Sequence, residues 1–264
     1  MDSISIKVYA KVNIYLDIDG VREDGYHLLD MRNVSVDVFD IICAKKSKIS
    51  RVIMDGNAVD GSNTAVKALK ILEENFGISM RVEIKKGIPF SAGLGGSSAD
   101  ASGVFYCAHK LYGIDFDKLK KLAVKVGCDV PYMMSGGNAS VKGVGEIVAP
   151  EKFKELTLAI CQSAVGASTK EIYAKYDEIG GYVNKGENYN ALEKAAVALA
   201  PKILTAKEQL LNHTDRVFMT GSGSAFVGIF DDLSLAVKCI ESIGDSQFKA
   251  VVKTVDKGVK IIAE

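Results

Sequence analysis

Residues 88–100 read Ile-Pro-Phe-Ser-Ala-Gly-Leu-Gly-Gly-Ser-Ser-Ala-Asp, and this stretch has the composition of an anion cradle. Gly93, Gly95 and Gly96 carry no Cβ, so backbone N–H groups there can close on a bulky anion. An apolar run at 80–85 precedes the loop and a helical pattern at 99–111 follows it. A helix that starts behind such a loop offers unpaired N–H groups and the positive end of its dipole. Ser97 and Ser98 add hydroxyls for phosphate oxygens or a metal ion. Together these features favour phosphate binding, and hence a nucleotide. The loop is not a Walker A motif, because no Gly-Lys-Ser/Thr follows the glycines. Its glycine spacing also differs from the dinucleotide fingerprint. A tight turn capped by Ser97 or Ser98, with no ligand, is the plain alternative.

Four further patterns carry chemistry. Lys11 and Asn13 lie two apart in a strand-like run, so they share a face. Asp24-Gly25-Tyr26-His27 is a turn followed by an aromatic pair. Gly127-Cys128-Asp129-Val130-Pro131 sets an acid at a helix end beside a proline. Gly221-Ser222-Gly223-Ser224 is a second glycine turn between two apolar runs. Lys11 sits among Val8, Ala10, Val12 and Ile14, and an ammonium buried there costs several kcal/mol unless it is paired. A carboxylate partner is therefore expected, and Asp129 is the natural one.

The elements that must hold these residues follow from periodicity. Alternation predicts strands over 3–10 and 12–19, with a turn at Asp19-Gly20, then over 34–44, 49–54 and 80–85. Helical spacing marks 63–76, 99–111 and 117–126, with a break at 127–131. A hairpin falls in 136–148 and a linker at 150–152. Beyond it come a strand at 156–161 and helices at 170–177, 189–199 and 205–211. A strand-turn-strand unit at 217–230, a helix at 233–243 and a strand at 249–255 complete the chain. Strict βαβ alternation is lacking, so the fold class is α+β, with a boundary near residue 150.

Composition narrows the function classes. The 264 residues carry 33 basic and 33 acidic side chains, and no long basic stripe occurs, which argues against sequence-independent nucleic-acid binding. The five cysteines are widely spaced with no Cys-x-x-Cys pair, so reduced thiols in the cytosol are expected rather than a disulfide framework or zinc site. No apolar run is long enough to cross a membrane, and no signal peptide is visible at the N-terminus.

Taken in order, the Lys-x-Asn strand, the Gly-Tyr-His segment, the Gly-Leu-Gly-Gly loop, the Gly-x-Asp-Val-Pro acid and the late Gly-x-Gly turn resemble the GHMP kinase superfamily. Within it they are most similar to the 4-diphosphocytidyl-2-C-methyl-D-erythritol kinase family. The resemblance implies a two-lobed α+β fold: an N-terminal ribosomal-S5-like lobe over 1–150 that binds ATP, and a C-terminal α/β sandwich lobe over 151–264. It implies transfer of the ATP γ-phosphoryl to the 2-hydroxyl of a cytidine-diphosphate-linked polyol, a step in non-mevalonate isoprenoid precursor synthesis, with Mg²⁺ as the metal. Another kinase of the superfamily, of homoserine or mevalonate type, and an inactive sensor remain as alternatives. Oligomeric state is left open.

By the same resemblance, Lys11 and Asp129 are catalytic: Asp129 accepts the hydroxyl proton, and Lys11 keeps it ionised and steadies the charge on the transferring group. Pro89, Ser91, Ala92, Gly93, Leu94, Gly95, Gly96, Ser97 and Ser98 hold the nucleotide, with Ser98 near Mg²⁺. Asn63 borders the adenine, or is simply a helix cap. Asn13, Tyr26, His27, Thr169, Tyr173, Gly221 and Gly223 contact the substrate, with Tyr26, His27 and Tyr173 handling a base. Core packing of Tyr173 and a ligand-free hairpin at Gly221–Gly223 are the rival readings. The loop departs from the family at two places: Ser97 stands where a third glycine is common, and Ala99 where a second serine is.

Overall fold

Alternating apolar residues build one long antiparallel ribbon that organises the molecule. In this computed structural model, which describes residues 1–181 and 188–263, β1 (Ser3–Val21) pairs along its length with β2 (His27–Lys46). Even-numbered Ile4, Ile6, Val8, Ala10 and Val12 point into the core, while Ser3 and Ser5 face outward. The two strands expected over 3–10 and 12–19 are therefore one. Bulges at Tyr9/Ala10, Asn13/Tyr15 and Ile18/Gly20 absorb the irregularity, and Gly20 pairs with Leu28 instead of turning. The turn falls after Val21, where Arg22 N–H donates to the Tyr26 carbonyl.

On one edge β2 pairs with β5 (Met80–Lys85), which runs parallel to β3 (Arg51–Met54), and β3 closes a small hairpin with β4 (Asn57–Ala58). Helices α1 (Thr64–Phe76) and α2 (Gly96–Tyr112) cover the inner face. At Gly103 a Cβ would come within 2.2 Å of Ile42 Cδ1 and 2.9 Å of Val8 Cγ2, so a missing side chain lets α2 lie directly on the sheet. Short α3 (Phe116–Ala123) and α4 (Val130–Ser135) follow. The break expected at 127–131 is present, and α4 opens inside it at Val130, because proline is tolerated in the first helical turn, where no N–H partner is required. The hairpin β6 (Ala139–Gly143) and β7 (Ile147–Pro150) pairs with β2.

The rest of the chain adds β8 (Thr157–Gln162), α5 (Thr169–Glu178), α6 (Glu193–Leu199), α7 (Leu204–Leu211), β9 (Val217–Met219), β10 (Ala225–Phe230), α8 (Leu233–Ser242), β11 (Phe248–Val255) and β12 (Val259–Ala263). Strands β9, β10, β8 and β11 form an antiparallel run that joins β2 through Thr254 and Val255. The helix expected from residue 189 starts only at Glu193. Backbone at Tyr189 and Ala191 is bonded instead to Leu16, at 2.8 and 2.9 Å. Strand β12, absent from the periodicity reading, returns to pair with β1. Among the described residues every strand pair but β3/β5 is antiparallel, in keeping with an α+β fold.

Candidate active site

The glycine loop is held from two sides. The Lys11 N–H donates to the Leu94 carbonyl at 3.0 Å, and the Ser224 N–H donates to the Ser91 carbonyl at 3.2 Å. The loop thus lies between β1 and the second glycine turn. At Gly93, φ is +74°, and a Cβ would sit 2.1 Å from the Thr220 carbonyl oxygen and 3.2 Å from that of Gly223. Glycine is required there both for the left-handed backbone and for the approach of the two turns. Helix α2 begins immediately behind, with Gly95 as its N-cap.

Lys11 projects from β1 beneath this loop and is 3% exposed. Its Nζ stands 3.4 Å from Asp129 Oδ2, and it donates to Asn13 Oδ1 at 2.5 Å. The carboxylate demanded by burial of that ammonium is therefore present, at the N-cap of α4. Asn13 in turn donates to Asn33 Oδ1 at 2.6 Å, and its backbone N–H donates to Thr220 Oγ1 at 3.0 Å. Asn13 is 1% exposed and lies behind Lys11, so it steadies the lysine from below.

A cavity of about 560 Å³ opens in front of the pair. Lys11, Asp129 and the whole loop from Pro89 to Ser98 line it, as do Thr169, Tyr173, Gly221 and Gly223. Two helix N-termini face it, α2 at Gly96 and α5 at Thr169, so the field inside suits an anion. Ser168 caps α5 in a reciprocal box with Glu171, and Thr169 Oγ1 lies 2.9 Å from Ser222 Oγ, which fixes α5 against the second turn. Burial pushes the Tyr173 phenol well up from its usual range, with the charges of Cys128 and Asp129 adding to the effect.

Four expected residues lie outside the cavity lining. Asn13 is used by Lys11, as described. Asn63 caps α1, accepting from the Ala65 N–H at 2.8 Å, and its neighbour Thr64 reaches the wall instead. Tyr26 is 62% exposed, with the Arg22 guanidinium 5.5 Å from its ring centre. His27 stands one layer back, its ring 4.8 Å from that of Tyr173.

Two family models match the chain: GHMP kinases N terminal domain over residues 63–138 and GHMP kinases C terminal over 171–250. A relative from Thermoanaerobacter pseudethanolicus, named 4-diphosphocytidyl-2-C-methyl-D-erythritol kinase, is 35% identical, with 99% of each chain covered. One of the same name from Clostridium beijerinckii is also 35% identical, over 91% of this chain and 95% of its own. The chain belongs to the 4-diphosphocytidyl-2-C-methyl-D-erythritol kinase family. A solved 4-(cytidine 5'-diphospho)-2C-methyl-D-erythritol kinase superposes with a TM-score of 0.77 at 25% identity, covering 95% of this chain and 98% of that one. A homoserine kinase from Cytophaga hutchinsonii, at 19% identity and a TM-score of 0.71, shares the fold.

The sequence reading missed Lys86. Lys86 lines the cavity, yet its side chain is 6% exposed, with Nζ bonded to Asp40 Oδ2 at 2.5 Å, Asp100 Oδ2 at 2.8 Å and the Gly96 carbonyl at 3.4 Å. Asp40 Oδ1 also accepts from the N–H groups of Gly87 and Ile88. This cluster clamps the loop's entry strand to the first turn of α2. Burial raises the Asp100 carboxyl to about 7, against the opposing pull of Lys86, and Asp100 Oδ1 has no partner. The signal was in the alternation. Met80, Val82 and Ile84 point inward, and Lys86 continues their phase; Asp40 likewise falls in phase with Val36, Ile42 and Ala44. A charge on an inward phase predicts a buried partner.

Among the described residues no group of three or more His, Cys, Asp or Glu side chains gathers as a metal site. Magnesium needs no such cage, since it is commonly held by one or two protein oxygens together with substrate phosphates. Ser98 Oγ lies 3.8 Å from where a Cβ on Gly127 would sit, two residues before Asp129. Ser98 and Asp129 both line the cavity with hard oxygen donors, so the residues fit that ion.

Proposed function

We propose that this protein phosphorylates the 2-hydroxyl of 4-diphosphocytidyl-2-C-methyl-D-erythritol at the expense of ATP. The observation that carries the reading is the buried Lys11–Asp129 pair, 3.4 Å apart at the mouth of a glycine loop. Family membership supplies the substrate. In this reading the loop N–H groups and the α2 N-terminus take the triphosphate. Asp129 accepts the proton of the attacking hydroxyl as its oxygen bonds to the γ-phosphorus and the bond to the β-phosphate oxygen breaks, releasing ADP. Lys11 pairs with Asp129 at 3.4 Å and offsets charge building on the transferring group. Ser98 and Asp129 would hold Mg²⁺, which supplies charge neutralisation at the phosphates. Thr169 and the Gly221–Gly223 turn contact the substrate diphosphate. Tyr173, with His27 behind it, receives the base. A cytoplasmic setting belongs to this reading: all five cysteines are free, and no described helix is long and apolar enough to cross a membrane.

The test is ADP release on adding the cytidyl substrate to the enzyme with Mg·ATP. Turnover is expected with it and not with homoserine or mevalonate. CDP at 100 times its Kd should also stabilise the fold by about 2.7 kcal/mol. No thermal shift with CDP, combined with turnover of homoserine or mevalonate, would overturn the proposal.

A further inference from the structure

A lysine can only donate, so it fixes the orientation of the amide that faces it. Lys11 Nζ donates to Asn13 Oδ1 at 2.5 Å, and Asn13 Nδ2 must therefore find its acceptors elsewhere. It has two, Asn33 Oδ1 at 2.6 Å and Met31 Sδ at 3.3 Å. A thioether accepts weakly, so Asn33 holds that end of the amide. Asn13 and Asn33 are register partners on β1 and β2, and Asn33 is paired on its other side with Ala139 of β6. It thus stands on a strand gripped from both edges, 1% exposed and outside the cavity lining.

The other end of this side chain breaks a rule. Asn33 Nδ2 is buried with no hydrogen-bond partner, and an orphaned donor costs stability. Packing alone would favour an apolar residue of the same size. What only the asparagine supplies is the oxygen that ends the row Lys11–Asn13–Asn33. An ammonium has three N–H groups. One goes to Asn13 and one faces Asp129 Oδ2 at 3.4 Å, which leaves one for the cavity that Lys11 lines. That division holds while Asn13 Oδ1 stays aimed at Nζ. Without the Asn33 oxygen, the Asn13 N–H groups are buried against a thioether alone, and the amide turns away from the lysine to find an acceptor.

We propose that Asn33 is a positioning residue for the phosphoryl-transfer step: acting through Asn13, its side-chain oxygen holds the Lys11 ammonium where it meets both Asp129 and the transferring group. The inference rests on the kinase reading above and extends it to a side chain behind the cavity wall.

The experiment is steady-state ADP release with the cytidyl substrate and Mg·ATP, beside calorimetric titration with ADP, on the full-length wild type and its variants. Asn33→Leu and Asn33→Ala withdraw the acceptor, the first keeping the volume and the second not. Both should lower kcat about tenfold or more, with the KM for ATP and the ADP affinity within about threefold of wild type, which also reports an intact fold. Asn33→Asp keeps an acceptor and should hold kcat within about threefold of wild type. In a Lys11→Met background, Asn33→Leu should change the residual rate by less than about threefold, because no ammonium remains to be placed. An unchanged kcat in Asn33→Leu or Asn33→Ala would overturn the inference alone. So would a fall in Asn33→Asp as deep as in Asn33→Leu, or a loss of ADP affinity in step with kcat, since either marks a merely structural contact. A wild type that binds ADP but does not turn over the cytidyl substrate would remove the reading beneath it, and this inference with it.

Discussion

Replacing Asp129 with asparagine removes one charge and almost no volume, and so isolates the carboxylate. At 3.4 Å from Lys11 Nζ, the pair attracts by about 5 kcal/mol at an effective dielectric of about 20. That figure is an upper bound, because Asp129 is 19% exposed and both groups lost water to come together. Lys11 keeps its bond to Asn13 Oδ1, and an asparagine amide oxygen can still accept from it, so the fold should survive. The chemical step should not. Loss of a positioned base costs roughly 10²–10⁴ in rate, which is about 2.7–5.5 kcal/mol of barrier. The expected outcome for Asp129→Asn is therefore a fall of that size in kcat, with the KM for ATP within about threefold of wild type. A coupled ADP-release assay gives both numbers. Lys11→Met should lose a comparable amount, and the double variant little more, because residues acting as a unit are not additive. A folded Asp129→Asn protein with kcat within threefold of wild type would refute the assignment of proton acceptor.

Three other outcomes follow from the geometry. Gly93→Ala should raise the KM for ATP tenfold or more: its Cβ would overlap the Thr220 carbonyl at 2.1 Å, and its φ of +74° strains an L-residue by roughly 1–2 kcal/mol. An unchanged KM would show that the two turns need not touch. Lys86→Met strips the cation from two buried carboxylates and should cost about 3–5 kcal/mol in urea unfolding, with a loss under 1 kcal/mol counting against the clamp. Asp100 has a folded pKa raised to about 7 by burial, above its unfolded value, so the native state holds that proton more tightly. Its contribution is then present at low pH and fades as pH rises from about 4 to 7, by at most about 4 kcal/mol. Asp100→Asn should flatten that fall, and identical wild-type and variant profiles from pH 4.5 to 7.5 would contradict it.

Much of the framework was legible because it is local. Strand 80–85 emerges with the expected bounds, and the helix behind the loop differs only at its ends, starting at Gly96 rather than Ala99. Errors cluster where tertiary contacts override local signals. Gly20 reads as a turn, yet β2 pairs through it. Tyr189–Ala191 reads as helix, yet Leu16 takes its backbone. Strand β12 is called into being by the free edge of β1. At the site, Asn13 shares a face with Lys11 as expected, but the nearest partner for its oxygen is that lysine, which draws it away from the wall.

What the amino-acid order determines by itself is phase and punctuation. It says which residues of a strand face inward, where glycine permits a left-handed turn, and that a lysine embedded in an apolar run must find a carboxylate. Those are properties of neighbours two to four positions apart, governed by backbone geometry alone. Tertiary structure decides which carboxylate answers. Asp129 meets Lys11, Asp40 and Asp100 share Lys86, and Asp177 reaches His27 only after β1, β2, α2, α4 and α5 have packed. Each of those meetings depends on closing a long loop and burying a common core, a cost and a gain that no short window of sequence contains.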